Sequence, residues 1–103
     1  EYDDIISIES DKPYIRFLLD GSKKIVMKKS LLDVQKNLNE RLFVRINRKT
    51  IVNIKKVQSV VKNGDVYTLS MQNGLEYVVS IRTVSLVRKY FFLLNSSEKK
   101  GEF

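Results

Sequence analysis

Three dipeptides punctuate this chain, Asp20-Gly21, Asn63-Gly64 and Asn73-Gly74, and each stands between runs in which apolar and polar residues alternate. Tight hairpin turns need positive φ, which Gly adopts without a Cβ clash and which Asn and Asp tolerate. A dipeptide of this kind therefore folds its flanking runs back on each other as antiparallel strands. Strands are expected at residues 5–9, 14–19, 24–28, 43–47, 57–62, 66–71 and 75–80, with a short one at 50–54. Their β-branched and aromatic residues suit a half-buried pleat. Lys12-Pro13 marks a loop between the first two strands, because Pro donates no ladder hydrogen bond and disfavours helix in the residue before it. The expected fold class is mainly β: a compact, multi-stranded antiparallel fold with one short helix and a C-terminal helix.

Ser30 stands where a helix N-cap belongs, with Asp33 three residues on, and Leu31, Val34 and Leu38 follow at helical spacing. Near the end, Val84, Val87, Phe91 and Leu94 repeat at three- and four-residue steps, so a second helix is expected to start near Thr83. Tyr90, Phe92 and Leu93 lie beyond that stripe and leave two outcomes open, burial at home or contact with another protein. The last residues have no periodicity. One domain over residues 1–95 and a disordered tail over 96–103 are expected.

Composition removes most enzyme chemistry. The 103 residues include no Cys and no His, so thiolate and imidazole nucleophiles, the commonest general base and the usual zinc ligands are missing. The Gly residues are isolated and mostly belong to turns, which leaves no phosphate-cradling loop. Ser residues have no base to activate them, and the adjacent Asp3 and Asp4 read as solvated surface. No enzyme activity, cofactor or metal is expected. With no apolar run long enough to span a bilayer and no leader pattern, the chain reads as cytoplasmic.

Charge is more informative. The net charge is +7, yet the first eleven residues hold five carboxylates and no base, so the rest carries a surplus of twelve positive charges. From position 41 to position 62 there are Arg41, Arg45, Arg48, Lys49, Lys55, Lys56 and Lys62 and no acid. A one-sign stretch of this length attracts phosphates. Within it, alternation holds through Arg45-Ile46-Asn47, breaks at Arg48-Lys49 and resumes at Ile51. That pattern describes a strand ending in a basic connection. Arg and Asn carry the planar forks that match guanine and adenine edges, so such a tip could specify as well as anchor; an ordinary polar turn is the alternative.

The run Phe43-Val44-Arg45-Ile46-Asn47-Arg48-Lys49-Thr50-Ile51-Val52-Asn53, followed by the apolar strand at 57–61, resembles the signature of LytTR-type DNA-binding domains. Flanking segments are similar to the same domain: IESDKPYIRF before it, SLLDVQKNL just ahead of it, and the strand running into VSIRTVSLV after it. The likeness covers roughly residues 5–92. Asn47 stands where many members have His. The resemblance implies a mostly β fold whose loops enter successive major grooves on one face of double-stranded DNA, often bending it. It also implies an N-terminal receiver domain in the full-length response regulator, sites that are paired direct repeats, dimerisation on DNA, and target genes for peptide signalling, competence, bacteriocins or virulence.

Carried over position by position, the resemblance assigns base contacts to Arg48, Arg82, Asn47 and Lys49. It places Lys12 and Tyr14 in an early DNA-contacting loop. Arg45, Lys23, Lys24, Lys55 and Lys56 are expected to neutralise phosphates, as are Lys28 and Lys29. Asn53 is expected to hold a turn. Two other function classes stay open on the sequence: an RNA-binding or ribosome-associated basic β domain, and a protein-interaction module using the last helix.

Overall fold

The computed structural model describes residues 2–94, with side chains from residue 3 to residue 89. Eight strands form: β1 (Ile5–Asp11), β2 (Tyr14–Leu19), β3 (Lys23–Met27), β4 (Phe43–Asn47), β5 (Thr50–Asn53), β6 (Val57–Asn63), β7 (Val66–Met71) and β8 (Glu76–Val79). Helix α1 (Leu31–Gln35) interrupts them and α2 (Val84–Leu94) follows. Short 3-10 turns occupy Asp20–Ser22, Ile54–Lys56 and Ile81–Thr83. The fold is mainly antiparallel β, as expected. Gly21, Gly64 and Gly74 all take positive φ, at 77°, 68° and 90°.

The strands divide into a five-stranded sheet, in the order β3-β2-β1-β5-β4, and a three-stranded sheet, β6-β7-β8. In the larger sheet the central strands are covered on both sides. Ile5, Ile8, Ile15, Phe43 and Ile51 pack with Leu31 and Val34 of α1. On the opposite side Ile6, Val44, Ile46, Val52 and Ile54 pack with Leu69, Met71 and Val79 of the smaller sheet and Val87 of α2. Two cores thus flank one sheet, giving the layered arrangement that buries both faces of a central sheet. Burial on both faces explains why β1 begins with Ile5, Ile6, Ser7 and Ile8 all buried rather than alternating.

Helix α1 is shorter than the apolar spacing suggested. Ser30 Oγ accepts from the Asp33 amide at 3.1 Å, the expected cap, but the helix ends at Gln35, before Leu38. Asn39 offers its Oδ1 to the Arg41 amide at 2.9 Å, and its carbonyl takes the amides of Leu42 and Phe43. This local bonding competes with helix and turns the chain into β4.

One polar chain crosses between the sheets. The Tyr77 hydroxyl of β8 donates to Glu9 Oε2 of β1 at 2.6 Å. With that proton committed, Ser7 Oγ donates to Tyr77 at 2.7 Å. Arg16 then bridges Glu9 Oε1 at 2.9 Å and Asp11 Oδ2 at 3.0 Å, and these carboxylates raise its pKa. Burial first, and then the bond to the Glu9 carboxylate, push the Tyr77 hydroxyl well above the ordinary tyrosine range. Buried Asn53 donates Nδ2 to the Ile5 carbonyl at 2.9 Å and accepts from the Lys55 amide at 3.0 Å, so it shapes the turn after β5.

Candidate nucleic-acid interface

Strand register sets where the basic turns sit. Strands β1 and β5 are antiparallel neighbours with Glu9 opposite Thr50, and the Ser10 amide donates to the Lys49 carbonyl at 2.9 Å. The Lys12-Pro13 turn that leaves β1 therefore lies beside the Arg48-Lys49 turn that enters β5. Between them is an open concavity of about 680 Å³, lined among others by Asp11, Lys12, Ser30, Arg45, Arg48 and Lys49. Tyr14 opens β2 next to this concavity and is 48% exposed.

The third turn, Ile81–Thr83, is fastened to the same end of the sheet. The Ser80 amide donates to the Ile46 carbonyl at 2.8 Å, and Thr83 Oγ1 donates to that same oxygen at 2.7 Å. Ser80 Oγ lies 3.0 Å from Thr83 Oγ1 and closes the loop. Asn47 Nδ2 donates to the Val78 carbonyl at 2.8 Å, while Asn47 Oδ1 accepts from the Lys49 amide at 2.8 Å. Segments far apart in sequence thereby form one rigid end: residues 12–14, 47–49 and 80–83.

Backbones there are held while three cations are left outward. Among the described residues, none makes a hydrogen bond or ion pair with the side chains of Arg48, Lys49 or Arg82, and all three are exposed. Their forks and ammonium are thus available to a ligand. Arg45 differs. Its Nη2 donates to the Arg48 carbonyl at 2.7 Å, and its Nη1 comes within 3.5 Å of Gln35 Oε1, so it braces the hairpin from the α1 side. The amide of Asn47, expected to face a base, has both its polar atoms in bonds within the protein. Arg16 is likewise engaged, by Glu9 and Asp11.

Lys23, Lys24, Lys55 and Lys56 do not join this end. Strand β2 runs away from it, from Tyr14 to Leu19, so β3 starts at the far end and returns, with Leu19 opposite Lys23 and Ile15 opposite Met27. Lys23 and Lys24 are consequently about a strand length, ~15–20 Å, from the tips. Lys55 and Lys56 follow β5 at that far end too, and Lys56 Nζ is bonded to Asp20 Oδ2 at 2.8 Å. Lys28 and Lys29, which follow Met27, return to the tip end. Sequence reasoning passed over Ser80 and Thr83; a hydroxyl pair at i and i+3 ahead of an apolar helical run is the signal that marks them.

No group of three or more metal-capable side chains occurs among the described residues, and no helix among them is long and apolar enough to cross a membrane. Among solved structures, the fold is similar to one described as the LytTr DNA-binding domain of a response regulator from Bacillus cereus. That likeness has a TM-score of 0.78 at 23% identity, covering 87% of this chain and 83% of that one. No curated protein matches the chain at a significant level. The family profile of the LytTr DNA-binding domain matches residues 1–92. With nearly the whole described chain inside that match, the protein belongs to the LytTr DNA-binding domain family.

Proposed function

We propose that this domain binds double-stranded DNA sequence-specifically, as the output domain of a bacterial response regulator acting in the cytoplasm, with its tip loops entering successive major grooves. One observation carries the reading: three turns from distant parts of the sequence are bolted together at one end, and there Arg48, Lys49 and Arg82 have no partner among the described residues. Prefixed backbone with free forks suits base edges, because the ordering cost is met before the ligand arrives. A solvated lysine surface would need no such bracing.

Within this reading Arg48 and Arg82 contact bases and Lys49 contacts a base or its flanking phosphate. Lys12 and Tyr14 contact the backbone beside the concavity, and Lys28 and Lys29 supply further neutralisation. Asn47 and Arg45 hold the tip in shape rather than touch bases. An upstream receiver domain, dimerisation on DNA and paired direct repeats complete the proposal, which rests for these on resemblance to the family.

Selection of bound duplexes from a random pool tests it. A recurrent pair of half-sites in direct orientation is the expected product. Enrichment without any shared sequence, or preference for single-stranded RNA over the duplex, would refute the reading.

A further inference from the structure

Among the described residues Ile81 is 83% exposed, far more than the next large apolar side chain, Leu32 at 58%. Its neighbours Val79, Val84 and Val87 all pack into or against the core, and Ile81 does not. The exposure is not slack in the chain. On one side the Ser80 amide is held by the Ile46 carbonyl, and on the other Thr83 Oγ1 is held by the same oxygen. The turn is therefore fixed with Ile81 pointing into solvent, immediately before Arg82.

Resting on the DNA-binding reading above, we infer that Ile81 is a specificity-determining residue that packs against the C5-methyl group of a thymine next to the base contacted by Arg82. The chemistry is specific. In the major groove thymine alone presents a methyl group, and an apolar side chain held at the groove floor distinguishes it from cytosine without a hydrogen bond. A β-branched residue suits this task because its χ1 is already restricted, so little side-chain freedom is lost on contact. An apolar group placed beside a free guanidinium also makes the turn a two-part reader, one part polar and one apolar. Neither part on its own separates all four base pairs.

The test uses the intact domain and the duplex preferred in selection from a random pool. Each thymine is replaced in turn by uracil, which deletes only the methyl group. At one position the wild type is expected to lose roughly fourfold in affinity, the value of one buried methyl-sized group. Ile81→Ala is expected to be weaker on the parent duplex and indifferent to that same replacement, while Ile81→Val keeps the sensitivity. The coupling between protein and base changes identifies the contact. A wild type indifferent to every uracil, or an Ile81→Ala protein with the wild-type sensitivity, overturns the inference and leaves the DNA-binding reading standing. Absence of any preferred duplex overturns both.

Discussion

The Asn47 side chain joins the tip of the β4–β5 hairpin to β8, donating to the carbonyl of Val78 at 2.8 Å across a separation of 31 residues. The same amide accepts from Lys49 N, so a single residue sets both the shape of the tip and its position against the turn that carries Arg82. Replacing it by Ala leaves a carbonyl and an amide without partners. Asn47→Ala is expected to lower stability by about 1–2 kcal/mol. It is expected to weaken binding to preferred and scrambled duplexes by similar factors, leaving the preferred bases unchanged. Denaturant melts and competition binding check both. A loss confined to one adenine position, at full stability, would make Asn47 a base reader instead.

Arg48→Ala and Arg82→Ala act oppositely. Neither side chain has a partner among the described residues, so stability is expected to stay within about 0.5 kcal/mol. Affinity for the preferred duplex is expected to fall by about 1–3 kcal/mol, with relaxed preference at one base pair for each. Repeating the duplex selection with each variant measures this.

The two ends of the larger sheet should separate in their salt response. Removing Lys12 or Lys49, at the tip end, is expected to flatten the dependence of log affinity on log salt by about 1. Substituting Lys23, Lys24 or Lys55, at the far end, is expected to leave the slope unchanged. Lys56→Ala is expected to act through stability, since it removes the partner of Asp20.

Tyr77 gives a pH signature. Its folded-state pKa is raised, so the folded protein keeps this proton at pH values where the unfolded chain has lost it. The stabilisation is complete below about pH 10, the ordinary tyrosine value, and declines as pH rises from there toward the higher folded-state value. Wild-type stability is therefore expected to fall more steeply above that pH than stability of Tyr77→Phe, by at most about 1.4 kcal/mol per pH unit. At neutral pH the Phe variant is expected to be less stable by about 1–2 kcal/mol, because Glu9 and Ser7 lose a shared partner. Parallel slopes for the two proteins would count against the inter-sheet role of Tyr77.

Much of the local architecture is legible in the sequence. The Gly turns, the Ser30 cap and the alternating runs mark nearly every strand and the start of α1, because each is set by neighbouring residues. The tip Arg48-Lys49 is legible for the same reason, as the place where alternation breaks. Sheet order is not. Nothing local says that β1 lies between β2 and β5, since antiparallel pairing over forty residues depends on which faces the cores bury. The long-range partners of Asn47, Thr83 and Tyr77, which are Val78, Ile46 and Glu9, are hidden likewise, each lying more than thirty residues away. Uniform basicity from 41 to 62 also misleads, because one strand length carries Lys55 and Lys56 to the end opposite Arg48. The expectations about Tyr90, Phe92 and Leu93, and about the tail at 96–103, lie outside the described side chains and residues.

Backbone amide resonances followed during titration with the selected duplex test most directly whether the three bolted turns form one DNA-binding end. The largest shifts are expected at residues 12–14, 47–49 and 80–83, with Lys23, Lys24 and Lys55 little moved. Shifts centred instead on the exposed outer face of the smaller sheet, around Val61 and Val66, with Arg48 and Arg82 unmoved, would contradict it.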